Sequence, residues 1–256
     1  MSGAAETLAP DWRIVGVGAL MTTRAGGVSA GRHASMNLGV AVGDDPAAVA
    51  VNRARFAEAL GAAPVFLRQV HGARVVRIGA PDAAAGAPLH DADAAVTSEA
   101  GVACVVQAAD CLPVLLAARN GRAVGAAHAG WRGLSAGIAG AAVAAVCEVA
   151  QCRPGEVDAW LGACIGADAF EVGADVLSAF GAEPVEGMQN RRFKPKGGAK
   201  WLADLPGIAR DQLQAAGVER VTGGGWCTLS DASRFFSFRR DGVTGRMAAA
   251  IWIQGR

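Results

Sequence analysis

Short apolar runs separated by turn-forming residues dominate the sequence between residues 65 and 127, and they constrain the fold more than any other feature. Each run is three to five residues long, which is too short for a helix and typical of a buried β-strand. The strands predicted in this region are Val65–Leu67, Val75–Ile78, Ala92–Val96, Val102–Val106, Val114–Ala117 and Ala123–Ala127. Further strands are predicted at Ile14–Leu20, Ala159–Ala163, Phe235–Phe238 and Met247–Ile253. A chain with this many strands must bury them in one or more β-sheets.

Helices are predicted between and after the strands. Asp45 offers a capping carboxylate, Pro46 fits the first turn of a helix, and Gly61 is expected to end it. Because strands and helices mix without a strict βαβ rhythm, the sequence predicts an α/β fold (mixed α+β) with mixed β-sheets flanked by helices. The other predicted helices are about Gly133–Ala150, Ala174–Phe180 and Leu205–Ala216.

The domain organisation is predicted to be simple. No linker divides the chain, so residues 1–256 are expected to form a single domain, with a poorly ordered N-terminal segment over residues 1–12. Hydrophobic residues make up 52% of the chain and charged residues 18%, which excludes intrinsic disorder.

The charge and cysteine pattern bear on partners and location. A net charge of +1 gives no global attraction to nucleic acid or to an anionic membrane. The longest apolar stretch, about Leu134–Cys147, is shorter than the ~20 residues that a membrane-spanning helix needs. The six cysteines include no CxxC pair, which suits a reducing compartment. We therefore expect a cytoplasmic protein without nucleic-acid or membrane partners.

Three side chains suited to metal binding lie where predicted strands meet loops. His71 is followed by Gly72, Cys111 lies between two apolar runs, and His128 lies between a strand and the alanine-rich helix. Two imidazoles and one thiolate suit Zn²⁺, and three protein ligands leave one position open, as in catalytic sites. A metal-free alternative uses Cys111 as a nucleophile and His128 as its base.

Several segments together resemble the YfiH-like laccase-domain family, also called the multicopper polyphenol oxidoreductase, purine nucleoside phosphorylase or peptidoglycan editing factor family. The most specific matches are Ala109-Asp110-Cys111-Leu112-Pro113 and His128-Ala129-Gly130-Trp131-Arg132-Gly133. Other matching segments are residues 22–29, 36–39, 44–46, 52–53, 69–72, 91–94, 162–166, 227–228 and 236–242. The resemblance spans nearly the whole chain in the right order.

The resemblance implies a YfiH-like, cysteine-hydrolase-type fold and a catalytic Zn²⁺ site formed by His71, Cys111 and His128. It implies a zinc-dependent purine nucleoside phosphorylase acting on adenosine, inosine, guanosine and 5′-methylthioadenosine, with adenosine deaminase activity. The small-molecule partners would be purine nucleosides and phosphate.

Four polar residues in or near the matched segments are candidates for substrate binding. Phosphorolysis needs cationic groups for phosphate, and Arg24 and Arg53 could supply them, with Asn37 offering hydrogen bonds. Arg132 follows His128 at the helix entrance. The alternatives are an intrachain ion pair for Arg53 and helix-end packing for Arg132.

Other polar residues near the motifs receive weaker interpretations. Asp110, beside the thiol, could orient a metal ligand through a hydrogen bond. Asp91 and Asp93 are interpreted as strand-end residues, and His33 and His90 as surface residues.

Other activities use the same residues. True laccases need several copper centres, and four histidines without a His-X-His pair are too few to build them. Cu²⁺ would nevertheless compete for a His/Cys site, so it remains an alternative or adventitious metal. The resemblance also implies a hydrolase that edits peptidoglycan precursors with the same Cys/His site. A partner-binding protein that only retains the fold is the third possibility.

Overall fold

Strands account for most of the regular structure in this computed structural model, which describes residues 6–12, 14–185 and 190–255. The strands are β1 (Thr7–Leu8), β2 (Val17–Thr22), β3 (Ala63–Val65), β4 (Val75–Arg77), β5 (Ala94–Thr97), β6 (Val102–Ala108), β7 (Leu112–Ala118), β8 (Val124–Ala129), β9 (Val157–Leu161), β10 (Glu171–Val172), β11 (Phe193–Gly197), β12 (Lys200–Ala203), β13 (Arg220–Gly223) and β14 (Met247–Ile253). The helices are α1 (Pro46–Leu60), α2 (Trp131–Ser135), α3 (Ile138–Ala150), α4 (Ala174–Ala179), α5 (Leu205–Ala215) and α6 (Phe238–Asp241). Short 3₁₀ turns occur at Gly31–His33, Ala80–Ala83 and Pro154–Glu156.

The strands form two large sheets and one small one. The first sheet has the order β1-β2-β14-β6-β3 and is antiparallel except for the β3–β6 pair. The second sheet has the order β13-β9-β7-β8-β5-β4, with parallel pairs at its two edges. The small sheet, β10-β12-β11, is antiparallel. The mixed α/β class predicted from the sequence is therefore confirmed.

The two large sheets pack face to face between helices. Side chains of β6 and β14 share one buried cluster with side chains of β5, β7 and β8. The outer face of the first sheet is covered by α1 and the outer face of the second by α3 and α5. All seven residues of β7 are buried, as expected of a central strand covered on both sides. The second sheet is thus a rigid platform for the loops at its ends.

The ends of α1 follow the predicted signals. The Asp45 carboxylate accepts a hydrogen bond from the backbone N–H of Ala47 at 3.0 Å, and Pro46 is in the first turn. Gly61 ends the helix in the left-handed conformation, at φ 60°. The predicted strands from residue 65 to residue 127 are also present, with ends shifted by at most two residues.

The sequence prediction was wrong at three places. Residues 1–5 lie outside the described residues, but Thr7 and Leu8 pair with β2, so the N-terminal segment is not disordered throughout residues 1–12. The predicted strand Phe235–Phe238 is not formed. Instead, Phe235 and Phe236 are both buried at consecutive positions, and a short helix follows from Phe238.

The third difference is a break in the predicted alanine-rich helix. Gly137 lies between α2 and α3 and has φ 87°. This left-handed conformation interrupts the helix. A β-carbon at Gly137 would meet no neighbouring atom within 4 Å, so only its backbone conformation requires glycine. Over the described ranges, no helix is both long and apolar enough to cross a membrane.

The break predicts opposite effects for two alanine substitutions. Gly137→Ala should lower the free energy of unfolding by about 1 kcal/mol, because alanine is strained in the left-handed region. Gly140→Ala, inside α3 and also facing open space, should raise it by about 0.5–1 kcal/mol. Urea unfolding followed by circular dichroism measures both values. A stabilising Gly137→Ala substitution would contradict the assigned helix break.

Candidate metal centre and active site

The three predicted metal ligands meet at one end of the second sheet. In the antiparallel pair of β7 and β8, Pro113 lies opposite His128, so Cys111, just before β7, lies beside the end of β8. His71 reaches the same place from the loop between β3 and β4. One donor atom from each of His71, Cys111 and His128 lies within 4.8 Å of the other two. These three residues could hold a single metal ion.

The two imidazole rings differ in their surroundings. Their centroids are 4.9 Å apart, with an angle of 80° between the ring planes. His71 is exposed, Cys111 is partly buried and His128 is buried. His71 also has φ 61°, an uncommon conformation for a residue other than glycine. The surrounding structure must therefore stabilise the loop that carries His71.

Asp93 provides that stabilisation. Its carboxylate is buried and accepts backbone hydrogen bonds from Val70 at 3.2 Å, His71 at 2.9 Å and Gly72 at 2.7 Å. It also accepts a hydrogen bond of 2.8 Å from Nδ1 of His128. Because an ionised carboxylate only accepts, Nδ1 carries a proton, and Nε2 is the nitrogen that would bind a metal after losing its own proton. Asp93 thus orients two of the three ligands.

Electrostatics at the site favour the thiolate form of Cys111. Burial raises the pKa of this thiol, but the positive charge of His128 and hydrogen bonds from both imidazoles lower it to about 6. Burial lowers the pKa of His128, whereas the thiolate and Asp93 raise it to about 9. The thiolate is the form of cysteine that binds metals.

The site also has free space next to its sulfur. A β-carbon built on Gly130 would lie 3.0 Å from Sγ of Cys111 and 3.5 Å from Cδ2 of His71. Glycine at this position therefore leaves room beside both donors. Two imidazoles, a thiolate and this open space fit a zinc ion with three protein ligands and one free position.

A cavity of about 510 Å³ opens from the metal ligands. Its polar residues are Arg68, Gln69, Gln107 and Arg246, and its apolar walls include Val40, Val42, Leu67, Leu89 and Phe238. Arg246 forms no ion pair within the described ranges. Its Nη1 donates to the carbonyl oxygens of Thr244 and Gly245, each at 3.1 Å. A half-buried guanidinium without a carboxylate partner suits a ligand that is rich in oxygen or nitrogen acceptors.

A second cavity of about 200 Å³ also reaches His71 and Cys111. Arg132 and Arg239 line it, together with Asp110, Trp131 and Phe170. The guanidinium of Arg132 lies 4.2 Å from the ring centroid of Trp131, and Nη1 of Arg239 donates to the carbonyl oxygen of Glu171 at 2.7 Å. His71, Cys111, Ala109 and Phe238 line both cavities, so the cavities meet at the metal ligands.

The structure brings only one of the four predicted substrate residues to a cavity wall. Arg132 lines the smaller cavity, whereas Arg24, Asn37 and Arg53 line neither. Nε of Arg24 donates to the carbonyl oxygen of Ala34 at 2.9 Å. Its Nη1 donates to the carbonyl oxygen of Ala232 at 2.9 Å, so Arg24 links its own loop to the segment around Ala232.

Asn37 and Arg53 support the wall of the larger cavity from behind. The Asn37 amide donates to the carbonyl oxygen of Gly39 at 3.1 Å and accepts from its N–H at 2.9 Å. Nε of Arg53 donates to the carbonyl oxygen of Leu38 at 3.0 Å, with its guanidinium over the ring of Phe66. Both residues thus hold Leu38 and Gly39, and Gly39 lines the cavity.

Other assignments of the sequence analysis change with the structure. Asp110 does not bond to a metal ligand; its carboxylate accepts from the Thr228 hydroxyl and the Arg239 N–H, each at 2.6 Å. His33 is buried, not on the surface, and its Nε2 lies 3.2 Å from the carbonyl oxygen of Val42.

Asp93, Gln107, Arg246 and Phe238 are site residues that the sequence reasoning missed. Asp93 lies inside the predicted strand Ala92–Val96 and was interpreted as a strand-end residue, whereas in the structure it directly precedes β5. Gln107 and Arg246 are 139 positions apart in the chain, and only the pairing of β6 with β14 brings them together. Phe238 was assigned to a strand, although its side chain is 57% exposed beside the ligands.

Known proteins with similar sequences cover nearly the whole chain. Residues 18–254 match the family described as multi-copper polyphenol oxidoreductase laccase. The chain is 45% identical over 250 residues to a purine nucleoside phosphorylase of Pseudomonas aeruginosa, covering 96% of this chain and 98% of that protein. It is 43% identical over 252 residues to the purine nucleoside phosphorylase YfiH of Escherichia coli, covering 97% and 99%.

Two solved structures have the same fold. A Neisseria meningitidis protein superposes with a TM-score of 0.87 at 44% identity, covering 97% of this chain and 99% of that chain. The YlmD protein of Geobacillus stearothermophilus gives a TM-score of 0.89 at 32% identity, covering 100% and 98%. The fold expected from the family resemblance is therefore confirmed.

The position of Asp93 predicts its effect on metal binding. Asp93→Asn should weaken zinc binding by about 10- to 100-fold, because the hydrogen bond that orients a metal-binding histidine is disturbed. Asp91→Asn is the matched control, since the Asp91 side chain is exposed and its carboxylate forms an ion pair with Arg68. Competition with a coloured chelator measures the affinities, and circular dichroism verifies the fold. Wild-type affinity in a folded Asp93→Asn protein would contradict the role of Asp93.

Proposed function

This chain belongs to the multi-copper polyphenol oxidoreductase laccase family, and we propose that it is a zinc-dependent purine nucleoside phosphorylase that also deaminates adenosine. One observation carries the proposal: a single His/Cys/His donor set lies where a larger, mostly apolar cavity meets a smaller cavity lined by arginines. Phosphorolysis requires a largely apolar nucleoside base and an anionic phosphate to meet at one place. The names of the relatives from P. aeruginosa and E. coli support the same activity.

The larger cavity suits the nucleoside. Phe238 is 57% exposed at the junction of the two cavities, with the guanidinium of Arg246 5.9 Å from its ring centroid. Its ring would stack on a planar base. The apolar residues Val40, Val42 and Leu89 provide further contact surface for a purine. The substrates that we propose are adenosine, inosine, guanosine and 5′-methylthioadenosine, all of which carry the same ring system.

The smaller cavity suits phosphate. Arg132 and Arg239 both line it, and neither forms an ion pair with a carboxylate in the part of the chain that the structure describes. Guanidinium groups bind phosphate oxygens through two parallel hydrogen bonds. Phosphate held there would reach the nucleoside beside His71 and Cys111, which line both cavities.

The proposed reaction exchanges one bond at the sugar. A phosphate oxygen forms a bond to C1′ of the ribose while the bond from C1′ to N9 of the purine breaks. The electron pair of the broken bond goes to the purine, and the proton of hydrogen phosphate ends on the released base. The products are the free base and ribose 1-phosphate. Arg132 and Arg239 would hold the attacking group, and Phe238 the base.

The metal ligands suit zinc, as the donor set and the free space at Gly130 indicate. When bound, zinc would supply a Lewis acid and lower the pKa of a water ligand to about 7, which is the chemistry that deamination of adenosine needs. Asp93 would keep His128 oriented through its Nδ1 hydrogen bond. Asn37 and Arg53 would act as positioning residues for the cavity wall, and Arg24 for the loop beside it.

Removal of the thiol tests the catalytic assignment. Purified wild-type protein should contain about one zinc ion per chain and form inosine and hypoxanthine from adenosine plus phosphate. Cys111→Ala should lose zinc and both products, because it lacks one of three metal ligands. Cys147→Ala, a change at a partly exposed cysteine in α3, is the control and should keep both. Zinc is measured by mass spectrometry and the products by chromatography. Full activity of Cys111→Ala would refute the assignment.

Removal of a guanidinium tests the phosphate subsite. Arg132→Ala should raise the KM for phosphate by about tenfold or more while leaving deamination of adenosine nearly unchanged, since deamination uses no phosphate. Arg153→Ala is the control, because Arg153 is exposed and pairs only with Glu156. Steady-state kinetics at varied phosphate give the values. An equal loss of both activities in Arg132→Ala would argue against a separate phosphate site.

A further inference from the structure

A buried side-chain amide in the larger cavity has a donor without a partner. Gln107 is the penultimate residue of β6 and lines this cavity together with the metal ligands. Its Nε2 is shielded from solvent and has no hydrogen-bond acceptor among the described residues. Buried polar groups in folded proteins are nearly always paired. A half-turn about the Cγ–Cδ bond exchanges Nε2 with Oε1 of the same amide and brings the donor to the cavity, where a ligand can supply the acceptor.

The main chain of Gln107 is held firmly while its side chain is left free. The amide of Gln69 donates to the carbonyl oxygen of Gln107 at 2.9 Å and accepts from its N–H at 2.7 Å. These two hydrogen bonds continue the pairing of β6 beyond its strand neighbours. The side chain of Gln107 thus projects from a fixed base, as specific recognition of a ligand requires.

Strand pairing places a guanidinium on the same sheet face. Gln107 is paired with Ala248 of β14, and Arg246, two residues earlier, projects to the same side. Farther along this face, Val105 and Ala250 lie in the apolar cluster under α1. The apolar cluster under α1 therefore ends where the cavity begins. Gln107 and Arg246 are the polar residues at that boundary.

The chemistry of an amide donor narrows the choice of ligand group. A neutral amide between apolar walls suits a neutral acceptor on a flat ring, whereas phosphate would favour the guanidinium groups. N7 of a purine is such an acceptor, and glutamine is one of the side chains that bind it on base edges. All purine nucleosides carry N7, and pyrimidine nucleosides do not.

We propose that the Gln107 amide turns to present Nε2 to the cavity and donates a hydrogen bond to N7 of the purine base, and that this contact selects purine over pyrimidine nucleosides. The inference rests on the proposed function. The same hydrogen bond stabilises the negative charge that develops on the purine as the bond from C1′ to N9 breaks. Gln107 keeps its protons throughout. Arg246 adds positive charge on the same side of the cavity.

A pair of ligands that differ at one atom tests the contact. In 7-deazainosine a C–H group replaces N7, so this nucleoside has no acceptor for Gln107. Gln107→Met keeps the length of the side chain and removes both polar atoms. Binding of inosine and 7-deazainosine is measured by titration calorimetry without phosphate, so that no phosphorolysis occurs. We expect Gln107→Met to weaken inosine binding about tenfold or more and 7-deazainosine binding less than about threefold.

The matched control is Gln212→Met. Gln212 also has a buried unpaired atom, Oε1, but it lies on α5 and lines neither cavity. Its substitution should leave both affinities unchanged. Circular dichroism and zinc content verify that each variant is folded. In turnover, Gln107→Glu should lower kcat/KM for inosine, because a carboxylate cannot donate to N7.

The outcomes separate this inference from the proposed function. Equal weakening of the two ligands by Gln107→Met, or unchanged binding of inosine, would overturn the N7 contact while wild-type phosphorolysis of inosine upholds the function. A wild-type protein that neither binds inosine nor forms hypoxanthine would overturn both. A misfolded Gln107→Met protein leaves the decision to Gln107→Glu, where an unchanged kcat/KM for inosine also counts against the contact.

Discussion

A buried carboxylate holds the candidate active site together. Asp93 has no exposed surface, and a charge in such a place is stable only when hydrogen bonds replace the lost water. Its carboxylate accepts from three consecutive backbone N–H groups of the His71 loop and from Nδ1 of His128, and its carbonyl oxygen accepts from the His128 N–H at 2.7 Å. One side chain therefore fixes the distance between two metal ligands that come from different parts of the chain. The uncommon backbone conformation of His71 is stable for the same reason.

The abundance of small residues lets these elements come close enough to one another. A β-carbon at Gly125 of β8 would lie 2.9 Å from Val146 of α3, so the alanine-rich helix packs against the sheet at a distance that larger residues would not allow. A β-carbon at Gly133 would lie 3.0 Å from the carbonyl oxygen of Gly72, which brings α2 against the His71 loop. The glycines beside the metal ligands thus serve close approach, in addition to forming turns.

Local sequence signals correctly predicted helix ends and short strands, which depend on residues close together in the chain. The cap at Asp45, the end of α1 at Gly61 and the strand Met247–Ile253 were all predicted correctly, because capping and short apolar runs act over a few residues. The metal ligands were found through motifs at strand ends, and the structure brings them together. The helix break at Gly137 was missed because an isolated glycine is tolerated inside a helix. Gln107 and Arg246 were missed because their proximity depends on strand pairing between distant segments, which no local pattern encodes.

The number of metal-binding groups limits the chemistry more than the family description does. A true laccase passes electrons between separate copper centres, whereas in residues 6–12, 14–185 and 190–255 only one group of three or more histidine, cysteine and acidic residues could hold an ion. Two of the four histidines belong to it; His33 lies beside Asp44, and His90 is hydrogen-bonded to Asp82. A lone ion with three protein ligands suits polarisation of one substrate. The two cavities that meet at these ligands suit the arrival of a second substrate. The geometry therefore favours transfer of a polar group between two small molecules over transfer of electrons.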